Sequence, residues 1–431
     1  MKPLPPDTPE QALITQYKGS LLVVRAYAGT GKTTTLVKYA HNNLNSRILY
    51  IAYNRGIRDE AREKFPANVD CKTSHQLAYA TIGRSYQHKL TGNLRLTDIA
   101  QAVDTKNWTI AKDILDTLNA FMSSADFRIL YTHFARADTG KVLTTKQTQY
   151  ISQVVEGAEF VWSKMTTPED PFPTVHDCYL KQYQLGMPNL SRRYTTILFD
   201  EAQDSNPVTS SIVLQQHCKV ILVGDRHQQI YRFRGANNAL DSKDLAGADQ
   251  LYLTHSWRFG RNVAIVANAL LELKGETLPV VGRGASDQVV MFLPQDVGHR
   301  TVIHRTVMGV IETALAATAK GKKVYWVGGI DAYQINELQD IYWYAMAAPD
   351  KVRNKKLLDD FQDYSEYQEV AKATKDPEMM RAVKIINSYD EIPERLTTLR
   401  RNTVKEEFGA DITVSTAHRC KGLEWDFVQL Y

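Results

Sequence analysis

The sequence predicts an α/β protein with two parallel-sheet domains, each interrupted by a helical insertion. Its 431 residues are enough for about three folding units of roughly 150 residues each. Short apolar runs rich in β-branched residues alternate with segments of helical periodicity, which is typical of buried parallel strands and their crossover helices. The first of these runs leads into a glycine-bearing loop that ends in Gly-Lys-Thr at 31–33. In such folds, ligands bind at the carboxyl ends of the strands.

The first predicted sheet takes its strands from two distant parts of the chain. The strand candidates are Leu21–Ala26, Arg47–Tyr53, Val69–Lys72, Thr195–Phe199 and Lys219–Val223. The long segment between the third and fourth candidates is polar and helical, with scattered aromatic residues. We therefore expect a first domain at 1–75 plus 194–259, with residues 76–193 as its helical insertion.

The second predicted sheet follows the same plan. Its strand candidates are Gln288–Leu293, Arg300–Ile303, Lys323–Val327, Ile412–Ser415 and Trp425–Leu430. A polar helical segment separates the third candidate from the fourth. We expect a second domain at 260–334 plus 408–431, incomplete at its C-terminus, with residues 335–407 as a small helical insertion.

Composition narrows the class of protein. Hydrophobic residues make up 43% and charged residues 23%, which excludes a disordered chain, a collagen-like repeat and a small disulfide scaffold. The net charge of +4 permits nucleic-acid binding without requiring it. No apolar run is long enough for a membrane span, and the N-terminus lacks a signal-peptide pattern. The four cysteines lie far apart, which predicts reduced thiols in an intracellular protein and no zinc site.

The segment from Ala26 to Thr33 matches the phosphate-loop pattern except that alanine stands at its first position. A strand precedes it and a helix follows, which is the context that this pattern requires. Backbone N–H groups of such a loop, with the helix N-terminus, bind phosphate oxygens. Lys32 would neutralise the β- and γ-phosphates of a nucleotide, and Thr33 would ligate Mg²⁺. The alternative is a glycine- and threonine-rich turn that only begins a helix.

An acidic cluster, Asp-Glu-Ala-Gln-Asp at 200–204, directly follows the fourth strand candidate. A carboxylate at the tip of a strand beside a phosphate loop is suited to a nucleotide-bound Mg²⁺, so Asp200 is the expected metal residue. Glu201 is placed to act as general base towards the attacking water. The alternative is that these carboxylates cap the N-terminus of a helix.

A third cluster, Gly-Asp-Arg-His-Gln-Gln at 224–229, follows the fifth strand candidate and continues to Ala236. Its position brings polar groups to the same sheet edge, where Gln228 would sense the γ-phosphate. Downstream, Tyr231 and Phe233 alternate with arginines, among them Arg234. Interleaved rings and cations suit the stacking of nucleic-acid bases, which is worth about 1–3 kcal/mol per base. A partly buried aromatic loop is the alternative.

Together these clusters resemble the ordered motifs of the superfamily-one DNA helicases of the UvrD/Rep type. The resemblance rests on AYAGTGKT, DEAQD, GDRHQQIYRFRGA and the later STAHRCKGLEW, and it is nearest to the helicase core of the F-box DNA helicases. It implies two RecA-like domains of the P-loop NTPase fold, ATP and Mg²⁺ as cofactors, and single-stranded DNA and single-strand/duplex junctions as partners. It also implies 3′-to-5′ travel coupled to duplex unwinding, in DNA repair and recombination.

The resemblance assigns roles to individual residues. Lys32, Glu201, Gln228 and Arg258 correspond to the catalytic positions. Gln11 corresponds to the glutamine that reads adenine, Trp257 to the ring that stacks on it, and Arg258 to the arginine that meets the γ-phosphate. The expected nucleotide contacts are Gln11, Ala28, Gly29, Thr30, Gly31, Lys32, Thr33, Thr34, Trp257, Arg258 and Glu424. The expected DNA contacts are Tyr53, Asn54, Thr73, His75, Tyr231, Phe233, Arg234, Thr416, His418 and Lys421. Two alternatives stay open: Gln11 as a helix surface residue, and Thr73 with His75 as a capped helix start.

The printed sequence ends shortly after Glu424, before the final arginine motif that the resemblance leads one to expect. Three explanations are open: a truncated chain, a partner polypeptide that supplies the motif, or slow turnover sustained by Arg258 with Arg305. The leading interpretation is an ATP-dependent DNA helicase or translocase. The second is a catalytically impaired DNA-binding protein that responds to ATP. The third is a phosphate-loop kinase for a small molecule, although a kinase has no need of the glutamine-rich cluster or the second α/β unit.

Overall fold

The computed structural model describes residues 6–134, 144–229, 239–292 and 297–431. The strands are β1 (Leu21–Ala26), β2 (Ile48–Ala52), β3 (Val69–Thr73), β4 (Leu90–Thr91), β5 (Thr174–Val175), β6 (Thr196–Phe199), β7 (Lys219–Gly224), β8 (Asp249–Leu253), β9 (His255–Ser256), β10 (Val281–Gly282), β11 (Arg300–His304), β12 (Val324–Trp326), β13 (Thr403–Val404), β14 (Ile412–Thr416) and β15 (Val428–Leu430). The helices are α1 (Pro9–Thr15), α2 (Lys32–His41), α3 (Arg55–Lys64), α4 (Ser74–Thr81), α5 (Leu96–Ala102), α6 (Trp108–Ser123), α7 (Thr145–Thr166), α8 (His176–Leu185), α9 (Pro207–Leu214), α10 (Arg261–Leu273), α11 (Val307–Thr318), α12 (Ile335–Ala345), α13 (Lys355–Asp360), α14 (Tyr364–Thr374), α15 (Pro377–Ser388) and α16 (Ile392–Arg401).

The chain forms two compact units, one up to Val289 and the other from Val290 onwards. The boundary predicted from the sequence lies at 259/260. In the structure, α10 and β10 belong to the first unit, because β10 pairs with β9 and α10 packs on β10. Within the ranges that the structure describes, none of the helices is both long and apolar enough to cross a lipid bilayer.

The first unit is built on a six-stranded sheet with the order β3-β2-β6-β7-β1-β8, in which all neighbouring strands are parallel. The five strands predicted from the sequence are all present, with ends that differ by at most one residue. The interior positions of β2, β6 and β7 are buried, which is why these strands appear in the sequence as continuous apolar runs. The α/β fold with parallel sheets is therefore confirmed.

The predicted and observed strands differ at two solvent-exposed segments: one strand was missed and one predicted strand is absent. The edge strand β8 was missed because its first residues, Asp249 and Gln250, are polar and exposed. The prediction of a strand at Gln288–Leu293 was wrong, since its described part, 288–292, is not strand. Met291 is 90% and Phe292 87% exposed, so this apolar run is not buried in a sheet. A short apolar run indicates a strand only when a partner covers it.

The two insertions differ in how they are packed. Helices α5, α6 and α7, with part of α8, enclose a hydrophobic core of their own that includes Ile114, Phe121 and Val161. In the second unit, α12 and α16 contribute Leu338 and Leu396 to the same core as the sheet residues of β12 and β14. The residues predicted as a second insertion thus share one core with their sheet.

The second unit carries a five-stranded parallel sheet with the order β13-β12-β14-β11-β15. Its central strands end at His304, Trp326 and Thr416. Strand β13 lies within the segment that the sequence analysis assigned to the insertion, and it was missed because only two residues pair.

Candidate functional site

Three adjacent strands of the first sheet, β6, β7 and β1, deliver the three motifs to one edge. Because these strands are parallel neighbours, the loops that follow them meet at their carboxyl ends. The phosphate-loop segment follows β1, the acidic cluster follows β6, and the glutamine-rich cluster follows β7. Motifs that are up to two hundred residues apart in sequence are therefore brought together by the sheet order.

The phosphate-loop segment has a backbone that requires glycine at two positions. Gly29 has a φ of +72° and Gly31 a φ of +78°, and Gly31 forms the N-cap of α2 in the left-handed region. A Cβ atom on Gly29 would lie 2.4 Å from the Cβ of Arg258, so a side chain cannot fit there. The Thr30 hydroxyl donates to the Tyr27 carbonyl at 2.9 Å and fixes the turn. This geometry, with a helix N-terminus pointing out of the loop, suits phosphate binding.

Asp200 is buried, with 1% exposure, at the end of β6. Its Oδ2 accepts hydrogen bonds from the Thr33 hydroxyl at 2.9 Å and from the Tyr50 hydroxyl at 2.8 Å. Its Oδ1 accepts from the Glu201 backbone N–H at 2.9 Å. Burial, followed by the neighbouring Glu201, raises the pKa of Asp200. The helix-capping alternative fails, because the cap of α9 is Asn206 and Glu201 makes no side-chain cap bond.

Glu201 is held by partners on both of its carboxylate oxygens. Its Oε1 lies 3.5 Å from the Lys32 ammonium, and its Oε2 accepts from the Gln203 amide at 2.5 Å. Its backbone has a φ of +50°, a conformation that costs a non-glycine residue free energy and that clusters at functional sites. The predicted base and the predicted phosphate-binding lysine are thus ion-paired.

The loop after β7 is joined to the acidic loop by buried polar contacts. Gln203, with 0% exposure, accepts at Oε1 from the Asp225 N–H at 3.0 Å. Asp225 is itself buried, and its Oδ2 accepts from the Gln228 side-chain amide at 2.7 Å. Burial raises the pKa of Asp225, while the charge of Lys32 opposes that rise. The predicted γ-phosphate sensor is therefore positioned by a carboxylate to which the sequence analysis gave no role.

The segment after β9 packs directly on the phosphate loop. The Trp257 N–H donates to the Gly29 carbonyl at 2.9 Å, and the Arg258 N–H donates to the buried Ser256 hydroxyl at 3.3 Å. The Trp257 side chain is 56% exposed, so its ring is accessible for stacking. The structure thus places Trp257 and Arg258 beside the loop, and their contacts with a nucleotide remain predictions.

Gln11 is not a surface residue, so that alternative was wrong. It is 5% exposed, and its Oε1 accepts from the Thr8 N–H and from the Lys38 ammonium. A Cβ atom on Gly31 would lie 3.2 Å from its Nε2, so the amide adjoins the phosphate loop. Its predicted contact with adenine remains a prediction.

A cluster next to the loop was not predicted from the sequence. The Tyr27 ring stacks on His227 at 6.3 Å between centroids, and the Tyr27 hydroxyl bonds to the Leu278 carbonyl. His227 Nε2 and the Arg226 guanidinium lie 2.8 Å and 3.3 Å from Glu276 Oε1. Burial, followed by the charge of Glu276, raises the pKa of Tyr27 to about 12. These contacts join residues that are far apart in sequence, so no local sequence pattern predicts them.

The oxygen donors at the edge suit a magnesium ion. Mg²⁺ prefers carboxylate, hydroxyl and phosphate oxygens and is often held by one or two protein groups. Asp200 and Thr33 provide a carboxylate and a hydroxyl whose oxygens lie 2.9 Å apart. The donor set fits the ion that the motif implies, with Thr33 and Asp200 as the residues that would hold it.

Four of the predicted DNA contacts lie at the carboxyl ends of β2 and β3, on the same sheet edge as the phosphate loop. Tyr53 is half-buried, and Asn54 caps α3 by accepting from the Ile57 N–H at 2.9 Å. Thr73 caps α4 with a capping box to Gln76, so the capped-helix alternative describes what this side chain does in the structure. His75 Nε2 lies 2.9 Å from Asp177 Oδ1. Their contacts with DNA remain predictions.

The remaining predicted contacts divide into two groups. Thr416, His418, Lys421 and Glu424 belong to the second unit. Thr416 ends β14 and is 5% exposed, His418 and Lys421 are half-buried, and Glu424 is exposed. The other group, Tyr231, Phe233 and Arg234, lies outside the described residues.

Comparison with known proteins agrees with this geometry. Residues 7–244 match the UvrD/REP helicase N-terminal domain. The chain is 32% identical over 460 aligned positions to F-box DNA helicase 1 of Gallus gallus, covering 98% of this chain and 44% of the relative. It is 30% identical to F-box DNA helicase protein 1 of Schizosaccharomyces pombe, covering 98% and 52%. It is 26% identical to the ATP-dependent DNA helicase PcrA of Leuconostoc citreum, covering 66% and 42%.

The chain spans about half the length of the curated relatives that it matches. The family match covers more than half of the chain and includes the phosphate loop, the acidic cluster and the strand that carries Asp225. From the site geometry and this match together, the chain belongs to the UvrD/REP helicase family.

Proposed function

We propose that this chain is the motor core of an ATP-dependent DNA helicase, which couples ATP hydrolysis to movement along single-stranded DNA. One observation carries the proposal: Lys32, Thr33, Asp200, Glu201 and Gln228 meet at one sheet edge, joined by the contacts described above. The buried carboxylates of Asp200 and Asp225 and the ion-paired Lys32 cost free energy at this edge, because burying charge is unfavourable. A binding function for charged ligands explains that cost better than a structural role does. The relatives named as DNA helicases support the choice of substrate.

The ion pair between Lys32 and Glu201 suggests how nucleotide binding activates the site. A triphosphate on the loop would draw the Lys32 ammonium towards its β- and γ-phosphates. Glu201 would lose that partner and keep the Gln203 amide on Oε2, which holds the carboxylate in one orientation. A carboxylate released in this way can accept a proton from the attacking water. A bound Mg²⁺ would neutralise charge that develops on the phosphate oxygens.

The sheet order suggests where DNA lies. Predicted nucleotide residues follow β6, β7 and β1, whereas four predicted DNA residues, Tyr53, Asn54, Thr73 and His75, lie at the ends of β2 and β3. These four residues therefore lie on the same sheet edge as the phosphate loop, with β6 and β7 between them and the loop. In the second unit, Thr416, His418 and Lys421 would contact the DNA backbone. Such backbone-directed binding predicts weak sequence preference and a strong salt dependence. Travel from 3′ to 5′ is what the family resemblance implies.

Strand-displacement and ATPase assays test the proposal. We expect ATP hydrolysis that single-stranded DNA stimulates, and ATP-dependent separation of a duplex with a 3′ tail but not of one with a 5′ tail. Lys32→Ala should abolish both activities, while Lys64→Ala, an exposed lysine on α3, should leave them unchanged. ATP binding without turnover would favour the alternative, an ATP-responsive DNA-binding protein. Absence of ATP binding would contradict both functions.

A further inference from the structure

We infer that Tyr50 is a positioning residue for the metal-binding carboxylate, a role that no sequence motif assigns to it. The inference deepens the proposed function and rests on it. Tyr50 lies in the middle of β2, the strand next to β6, and is completely buried. Its hydroxyl donates to Asp200 Oδ2 at 2.8 Å.

The contact is selective for one oxygen of the carboxylate. Asp200 Oδ2 receives two hydroxyl donors, Tyr50 and Thr33, whereas Oδ1 receives the Glu201 N–H. A hydroxyl has a single proton to donate, so the Tyr50 proton is committed to Asp200. The Thr33 oxygen keeps its lone pairs for a cation. The Tyr50 bond therefore helps to fix the rotation of the carboxylate from β2, with Oδ2 also bonded to Thr33.

The surroundings of Tyr50 hold the hydroxyl in place. Its ring packs against Phe65 at 4.7 Å between centroids, within the hydrophobic core that also contains Leu198 of β6. Because Tyr50 is fully buried, bulk water cannot reach its hydroxyl and replace the hydrogen bond to Asp200. Groups that orient a metal ligand from outside typically change metal affinity or activity by about 10–100-fold when they are removed.

Tyr50→Phe tests the assignment, because it removes the hydroxyl and keeps the ring. Binding of a fluorescent, non-hydrolysable ATP analogue is titrated with Mg²⁺ and repeated in EDTA. We expect the Mg²⁺ concentration for half-maximal binding to rise about tenfold, with affinity in EDTA unchanged. The matched control is Tyr194→Phe, because the Tyr194 hydroxyl donates to Asp70 Oδ2 at 2.6 Å outside the nucleotide site. This control should leave the Mg²⁺ requirement unchanged.

A second variant separates positioning from packing. Phe65→Leu loosens the packing around the ring but keeps the hydroxyl, so it should lower the melting temperature without raising the Mg²⁺ requirement. An unchanged requirement in Tyr50→Phe, or an equal loss of binding in EDTA, would overturn the role of Tyr50 and leave the proposed function standing. A wild-type chain that binds the nucleotide with no dependence on Mg²⁺ would overturn the role of Tyr50 together with the proposed metal site.

Discussion

The two sheets share a parallel plan but differ in what their strands carry at the carboxyl edge. In the first sheet, β6 and β7 lead directly into buried Asp200 and Asp225. In the second sheet, the three central strands end in His304, Trp326 and Thr416. The first edge thus carries two buried carboxylates, whereas the central strands of the second sheet end in an imidazole, a buried indole and a buried hydroxyl.

This difference favours the first edge as the site for a cation and a polyphosphate. A buried carboxylate costs free energy unless a cation or several donors compensate it, and burial raises the pKa of both Asp200 and Asp225. A cation bound with the proposed polyphosphate would compensate these two carboxylates. The uncharged groups at the second edge cost less free energy to bury, and Trp326 lies in the hydrophobic core with 1% exposure.

Removal of the predicted general base, Glu201, should produce the largest effect at the first edge. Glu201→Gln keeps the side-chain shape and an oxygen that can accept from Gln203. We expect ATP turnover to fall by about 10²–10⁴-fold, because general-base catalysis contributes that much. Affinity for the Mg²⁺-bound nucleotide should be retained. The check is steady-state ATPase beside nucleotide titration, and turnover close to wild type would mean that the first edge has been misassigned.

A buried charge outside the site should behave differently. Lys181 is fully buried in α8, and its ammonium donates to the Ser124 and Asp126 carbonyls and to the Gln184 side chain. Lys181→Met leaves these acceptors unpaired, so we expect a loss of about 1–3 kcal/mol in unfolding free energy. Urea denaturation measures the loss. ATPase activity measured below the unfolding transition should be unchanged, and a loss of turnover in the folded variant would contradict a purely structural role.

The pH dependence of that stability has a defined sign. Burial lowers the pKa of Lys181 to about 8, whereas a lysine in the unfolded chain titrates near 10.4. Between these pH values the unfolded state holds more protons than the native state. The free-energy cost of burying Lys181 therefore falls as pH rises, and the stability of the folded chain increases. Wild type should therefore gain stability relative to Lys181→Met from about pH 8 to pH 10. A relative loss over that range would contradict the assignment.

A smaller effect is expected in the second unit. Lys421→Ala removes one cation from the predicted DNA-contacting segment, so DNA affinity should fall several-fold and the salt dependence of binding should decrease by about one unit of slope. Nucleotide affinity should stay the same. Fluorescence anisotropy at several salt concentrations measures this, and an unchanged slope would exclude a phosphate contact.

The smallest predicted effect is a gain in stability, whereas most mutations destabilise a folded protein. Asp200→Asn removes a buried charge and keeps an oxygen for the Tyr50 and Thr33 hydroxyls, but loses the acceptor for the Glu201 N–H, so the nucleotide-free chain should be stabilised by no more than about 1 kcal/mol. Thermal melting without nucleotide or Mg²⁺ provides the measurement. Marked destabilisation would show that Asp200 is structural and would weaken the contrast between the two edges.

Local motifs were predictable from the sequence because their chemistry is contiguous. Gly29, Gly31, Lys32 and Thr33 form one loop, and Asp200 follows an apolar strand, so spacing alone indicates their roles. The sheet order that brings them together could be expected only in outline.

The partners of these residues could not be predicted in the same way. Tyr50 and Gln203 act through contacts with residues that are distant in sequence or that belong to another motif, and a tyrosine in a buried strand looks like ordinary core. The failed strand at Gln288–Leu293 has a related cause, since an apolar run does not reveal whether anything covers it. Burial and long-range pairing are properties of the folded chain.

The most direct test of the central claim is an experimental structure of the chain with Mg²⁺ and a non-hydrolysable ATP analogue. We predict that the triphosphate lies on the phosphate loop, with the metal beside Thr33 and Asp200 and the γ-phosphate within hydrogen-bond reach of Lys32, Gln228 and Arg258. A nucleotide whose triphosphate and metal together contact fewer than three of Lys32, Asp200, Gln228 and Arg258 would contradict the account.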